Sequence, residues 1–331
     1  MIPLAAKPKL NFQSEGKSVR RTCVIVLGMH RSGTSAFSGT LNQLGISMGK
    51  EMLDAVRENP KGFFENKKVY DFNDLKLLPL LGTSWDDIAD LPEEWLDRDE
   101  VKALYAEAEA IVHDDYSDLQ IFGMKDPRIC ILFPFWKQVL QNMDIEVKCI
   151  LPYRNPLEVA KSLLTRNDFS TEKSLVLWTK YNLYAEYYSR NSARVFVSYE
   201  NLLNEVQPTL AHIAAELKID FPNSPEEQME KLRTFLQKSL KREHATRVLA
   251  DDVPSFIRTC DGLFQSVIQS HVDDKALKDA FDKVREEYQS LSAYMLNKDT
   301  RPDIEYRVRK EMKRNRADRR FRKWVKSKYR K

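Results

Sequence analysis

Residues 22–35 read TCVIVLGMHRSGTS, and the fold turns on this stretch. Thr22 to Leu27 is a short apolar run without polar alternation, which is how a strand covered on both faces is written. It runs into Gly28-Met29-His30-Arg31-Ser32-Gly33. After the loop, Phe37, Leu41 and Leu44 fall on one face of a helix. A strand, a glycine loop and a helix in that order open a doubly wound α/β sheet. The two glycines have phosphate-loop spacing, G-x-x-x-x-G, and hydroxyl residues Thr34 and Ser35 follow. Backbone N–H groups of such a loop, and the N-terminus of the helix after it, converge on an anion. A nucleotide triphosphatase has Lys directly after the second glycine, where it reaches the outer phosphates. Here Thr34 holds that place and the cation comes earlier, at Arg31. A cradle with its cation moved suits a phosphoanhydride other than ATP. A glycine turn with no ligand, a kinase using Mg-ATP and a non-catalytic nucleotide-binding module are the alternatives.

Working outward, further buried strands are expected at 120–124, 147–153 and 194–198. Helical patterns occupy 98–117, 130–142, 156–165 and 172–190 between them. After Tyr199 the chain reads as helical, including 201–217, 226–240 and 273–297. Strands alternating with helices predict an α/β fold: a P-loop-like central parallel sheet flanked by helices, with a largely helical C-terminal half as a lid over an acceptor. The chain divides into an arm (1–20), one domain (21–298) and a basic tail (299–331).

Composition sets the outer bounds. The 331 residues are 42% hydrophobic, ample for a core. The four cysteines, Cys23, Cys130, Cys149 and Cys260, form no C-x-x-C pair. Zinc binding is therefore not expected, and three of the four sit in apolar runs as small core residues. No run of 18 apolar residues occurs, and residues 1–20 lack the apolar centre of a signal peptide, so a cytoplasmic protein is expected. The net charge of +4 conceals an asymmetry, because residues 301–331 carry 15 Lys/Arg against 4 Asp/Glu. Phe321, Trp324 and Val325 would share one side of a basic helix there, so the tail fits peripheral attachment to an anionic membrane surface or a polyanionic glycan. A solvated extension fits equally. Nucleic acid is the least expected partner, since the body of the chain is acidic.

Three segments resemble the sulfotransferases that use 3'-phosphoadenylyl sulfate (PAPS). His30, Arg31, Ser32, Gly33, Thr34 and Ser35 resemble the family's 5'-phosphosulfate loop, with Arg31 where many members have Lys. Tyr153-Arg154-Asn155-Pro156, with Ser162 eight residues beyond Arg154, resembles its 3'-phosphate site. The strand ending Ser198-Tyr199-Glu200-Asn201-Leu202 resembles its Y-E-[DN]-L segment, whose Tyr packs near the adenine. The resemblance spans about residues 22 to 250 and implies transfer of a sulfuryl group from PAPS to a hydroxyl or amine, with PAP as product and no metal. Lys241 and Arg242 lie in a looser match to a late segment that caps the cofactor; a solvated helix face explains them as well.

Sulfuryl transfer needs a base for the acceptor's proton and cations for the donor. Glu65, in Asn59-Pro-Lys-Gly-Phe-Phe-Glu65, resembles the carboxylate of bacterial and carbohydrate-type members. That likeness implies a glycan or lipid-linked acceptor. Asp126, in Lys125-Asp126-Pro127-Arg128, is the second candidate base, or an Asp-Pro turn paired with Arg128. Lys125 stands where the resemblance implies a lysine that neutralises the transferring sulfate; a lysine snorkelling at a sheet edge is the other reading. Residues 79–100, with Trp85, Asp86, Asp87 and Trp95, read either as an acceptor wall or as a loop anchored by its aromatics.

Overall fold

The computed structural model describes residues 20–54, 62–237, 249–251 and 253–295. Lys241, Arg242 and the basic tail lie outside them. Four strands, β1 (Thr22–Val26), β2 (Ile121–Met124), β3 (Glu146–Tyr153) and β4 (Ala193–Ser198), form one sheet in the order β2-β1-β3-β4. All three pairings are parallel. Each strand lies within a residue or so of its predicted place. The chain leaves β1 for β2 on one side and β3 for β4 on the other. The order therefore reverses between β1 and β3, where an open α/β sheet forms its ligand crevice.

Alternation along the strands divides the interior into two apolar layers. Val24, Val26, Ile150, Val195 and Val197 face one layer. Cys23, Ile25, Phe122, Met124, Cys149, Leu151 and Phe196 face the other. The first layer is closed by α1 (Thr34–Gln43) and, from the C-terminal half, by α9 (Tyr199–Asn204), α10 (Val206–Leu217) and α11 (Pro225–Gln237). The second is closed by α5 (Tyr105–Tyr116), α6 (Ile129–Asn142), α7 (Pro156–Asn167), α8 (Thr171–Ser189), α12 (Ser255–Ser270) and α13 (Lys275–Met295).

The later helices α12 and α13 are core layers, and Gln265 and Gln269 of α12 also border a cavity at the carboxyl edge of the sheet. Phe256, Cys260, Phe264 and Val267 make one apolar stripe on α12, and all are buried against the sheet side of the molecule. Phe264 lies among the rings of Tyr153, Trp178, Phe196 and Phe281, with centroids 5.2 to 6.2 Å away. Arg194 of β4 adds a bidentate pair to Asp273, both contacts 2.7 Å, which pins the turn between α12 and α13. An apolar stripe of this width has to be buried, so the helices became core layers.

One helix was not foreseen. It begins as α2 (Lys67–Asp71), widens into a π-helical turn (Phe72–Leu77) and ends as α3 (Leu78–Leu80). Pro79 in α3 has no N–H for a regular ladder, and the wide turn precedes it. Two short pieces, a 3₁₀ turn (Trp95–Asp97) and α4 (Asp99–Lys102), lead into α5. All four cysteines are buried and unpaired, Cys260 included. Burial pushes their thiols up, away from reactivity. Among the described residues no helix is long and apolar enough to cross a membrane.

Phe264→Ala should cost about 3–5 kcal/mol, the usual loss for a buried phenylalanine. Urea denaturation followed by circular dichroism measures it; a loss near zero would mean that α12 is not part of the core.

Candidate active site at the carboxyl edge of the sheet

The loop after β1 turns into α1 through two residues of positive φ, Arg31 at 71° and Gly33 at 87°. Gly33 is required for two reasons. Its conformation is left-handed, and a Cβ there would lie 2.2 Å from Cδ2 of Tyr199. The Tyr199 ring thus rests directly on the loop. Thr34 begins α1, and its methyl lies where a Cβ on Gly28 would clash, at 2.8 Å.

On the β3 side of the loop, four predicted residues meet. Arg31 donates from Nε to Ser162 Oγ at 2.7 Å. Arg154 donates from Nη1 to the Arg31 carbonyl at 3.0 Å, and its Nε pairs with Glu158 at 2.8 Å. Its guanidinium lies 4.8 Å from the Tyr199 ring centroid. The Asn155 side chain accepts from Leu157 N, caps α7 and so presents Ser162 two turns later. Trp178 Nε1 bonds the Arg154 carbonyl at 3.2 Å and holds the strand end from below. Beside Arg154 and Tyr199 opens a cavity of about 500 Å³, bounded beyond β4 by Gln265, Gln269 and His271.

On the β2 side stands a second group. Lys125 Nζ donates to Glu65 Oε1 at 2.5 Å, to the Phe63 carbonyl at 2.9 Å and to Ser35 Oγ at 3.3 Å. Glu65 is 4% exposed and Lys125 3%. Burial raises the Glu65 carboxyl above its ordinary range, with Lys125 opposing and Asp126 assisting. Asn66 places Glu65. Its Oδ1 caps α2 through Lys68 N and Val69 N, and its Nδ2 reaches Asp115 at 2.6 Å and Tyr116 OH at 3.0 Å.

Asp126, next in sequence to Lys125, points elsewhere. Oδ1 accepts from Arg128 N at 3.0 Å and Arg128 Nη1 at 2.9 Å, while Oδ2 accepts from Asn73 Nδ2 at 2.9 Å. Asn73 sits in the π-helical turn and in turn accepts from Trp136 Nε1 at 2.8 Å. The carboxylate closes the Asp-Pro turn and neutralises Arg128, which Asp74 also pairs at 3.0 Å. Asn66 and Asn73 were missed in the sequence. Asn66 carried a usable signal, a capping residue before a helix; Asn73 carried none.

His30 and Ser32 are buried, and among the described residues neither His30 Nε2 nor Ser32 Oγ has a hydrogen-bond partner. Burial, then Arg166, Arg128, Lys125 and Arg31, hold the imidazole well below its ordinary pKa, so it is neutral at pH 7. It packs on Trp85 at 4.4 Å between ring centroids. The Trp85 ring also meets Phe169 at 5.6 Å and the Arg166 guanidinium at 5.5 Å. The segment around it is strapped down: Tyr181 OH to Trp85 O at 2.7 Å, Lys180 Nζ to Asp87 O at 2.9 Å, and Tyr288 OH to Ile88 O at 2.6 Å. Trp95 is buried in the core. Residues 79–100 are thus anchored by their aromatics, with Trp85 against the loop that follows β1, and residues of the same segment from Leu81 to Asp97 line a cavity of about 860 Å³.

The chain matches no protein-family profile, and no curated protein matches its sequence. Among solved structures it is similar to the sulfotransferase domain from the Synechococcus PCC 7002 olefin synthase, with 16% identity and a TM-score of 0.41 over 83% of this chain and 96% of that one. A likeness of that degree says nothing about activity.

Gly33→Ala should lower stability by about 1–3 kcal/mol through backbone strain and the clash with Tyr199. Adding Tyr199→Ala should cost less in that background than in the parent chain. Strictly additive losses in a denaturation cycle would mean that the ring does not bear on Gly33.

Proposed function

We propose that the chain is a PAPS-dependent sulfotransferase, with Glu65 as general base. The observation that carries this is the pair of cation groups flanking one phosphate loop, Arg31, Arg154 and Ser162 on one side and Lys125 with Glu65 on the other. A donor with a terminal phosphate at one end and a transferable anion at the other suits that spacing. Arg154 and Ser162 hold the 3'-phosphate, for which a planar guanidinium is well shaped. Tyr199 lies beside the nucleoside. The loop N–H groups, Thr34 and Ser35 hold the 5'-phosphosulfate.

In the reaction the acceptor oxygen or nitrogen forms the new bond to sulfur. The bond from sulfur to the bridging oxygen breaks, and its electron pair leaves with PAP. The acceptor's proton goes to a Glu65 oxygen. Lys125 neutralises the sulfuryl oxygens and Arg31 the departing phosphate, so positioning and charge supply most of the rate. Glu65 is preferred to Asp126 because both Asp126 oxygens are already engaged by Arg128 and Asn73. Thr34 in place of a phosphate-loop Lys argues against Mg-ATP. The acceptor class is a glycan hydroxyl, free or lipid-linked, and the basic tail would bring the enzyme to an anionic surface bearing it.

PAP and PAPS should raise the melting temperature while Mg-ATP should not. Arg154→Ala should weaken PAP and PAPS by about 2–4 kcal/mol, and adenosine 5'-phosphosulfate, without a 3'-phosphate, by less. Equal losses for all three would remove Arg154 from the 3'-phosphate.

Glu65→Gln should still bind PAPS and lower turnover by about 10²–10⁴. Because burial raises the Glu65 carboxyl, activity should fall on the acid side at a pH above the ordinary carboxylate range. A fully active Glu65→Gln enzyme with the same acid limb would dismiss Glu65 as the base.

A further inference from the structure

Lys125 has three ammonium protons, and three oxygens take them: Glu65 Oε1, the Phe63 carbonyl and Ser35 Oγ. Ser35 lies in the first turn of α1, at the mouth of the phosphate loop. An anion seated on that turn meets Lys125 across the same space. It can gain the cation only by displacing one of the three oxygens, and the carboxylate is the one whose charge it repels. We propose that Lys125 is shared between Glu65 and the donor: the sulfuryl group of bound PAPS draws Lys125 off Glu65, so the carboxylate becomes an effective base only once the donor is in place. This rests on the sulfotransferase reading above and concerns the control of that same site.

The surroundings make the exchange consequential. Glu65 and Lys125 are both almost wholly buried, so water cannot replace the lost partner of either. The other charges felt by Glu65 are Asp126 and Arg128, which are paired with each other at 2.9 Å. They form a background that the donor does not alter. The neighbouring His30 is neutral. Two changes then act on Glu65 together: a cation moves away and an anion arrives. Both favour its protonated form, which is to say that both make it a stronger base. Before the donor binds, the ion pair keeps Glu65 a weaker one. With an acceptor present, the proton that Glu65 takes is the acceptor's. With none present, it comes from solvent, and the exchange becomes measurable without knowing the acceptor.

The experiment is calorimetric titration of the full chain with PAPS and with PAP, at neutral and mildly acidic pH, in two buffers of different ionisation enthalpy. Wild type should take up protons on binding PAPS, beyond any uptake with PAP. Glu65→Gln should lose that difference. Its preference for PAPS over PAP should rise several-fold, since Lys125 is no longer contested. Uptake with PAPS that is unchanged by Glu65→Gln, or equal for PAPS and PAP in wild type, overturns the proposal while leaving the donor reading intact. Absence of binding heat with either nucleotide overturns the donor reading and the proposal with it. The wild-type comparison of the two nucleotides stands even if the variant fails to fold.

Discussion

The contact between the Tyr199 ring and Gly33 governs the carboxyl edge of the sheet. No side chain fits at residue 33, because the ring occupies its place and the backbone is left-handed. From that contact the arrangement propagates. The ring supports the Arg154 guanidinium, Arg154 holds the Arg31 carbonyl, and Arg31 reaches Ser162. Residues that follow β1, β3 and β4 thus form one connected group. Only a parallel sheet brings these strand ends to the same edge, and the reversal of strand order between β1 and β3 opens the space they share.

Two buried ion pairs sit side by side after β2, and they differ in kind. Asp126 and Arg128 are saturated by each other, by Asp74 and by Asn73, so their charges are spent on closing a turn. Lys125 and Glu65 are bonded just as closely but lie against Ser35 at the loop mouth. A buried pair of this kind adds little stability over apolar residues of the same volume. Its place beside the loop gives it chemical value under the proposed function, because a donor anion seated there would change what each partner feels.

Behind the loop the structure is stiff. Lys180 is buried, pushed down to about 8 by its burial, and spends its protons on the carbonyls of Asp87 and Ala89. With Tyr181 and Tyr288 it fixes the segment that carries Trp85 onto His30. A wall held by backbone carbonyls is insensitive to the exposed residues it carries. The loop after β1 thus rests on a segment that is tied down by backbone carbonyls.

The sequence by itself determined the sheet. Its four strands are short apolar runs that no other element accommodates, and the glycine loop followed from spacing alone. It also offered Arg31, Arg154, Ser162 and Tyr199 as candidates, through the glycine loop and through segments that resemble known motifs. It put Glu65 ahead of Asp126 as the base, on resemblance alone and with nothing on what either carboxylate is bonded to. The tertiary structure supplied those partners. Asn73 reaches Asp126 across 53 positions, from a π-helical turn with no sequence signature, whereas Lys125 reaches Glu65 across 60. The same held for α12 and α13, whose apolar stripes announced burial but not the surface that would bury them. Local spacing encodes what a residue's own element can do. Which carboxylate is tied down, and which is left at the loop, is decided by contacts between segments far apart in the chain.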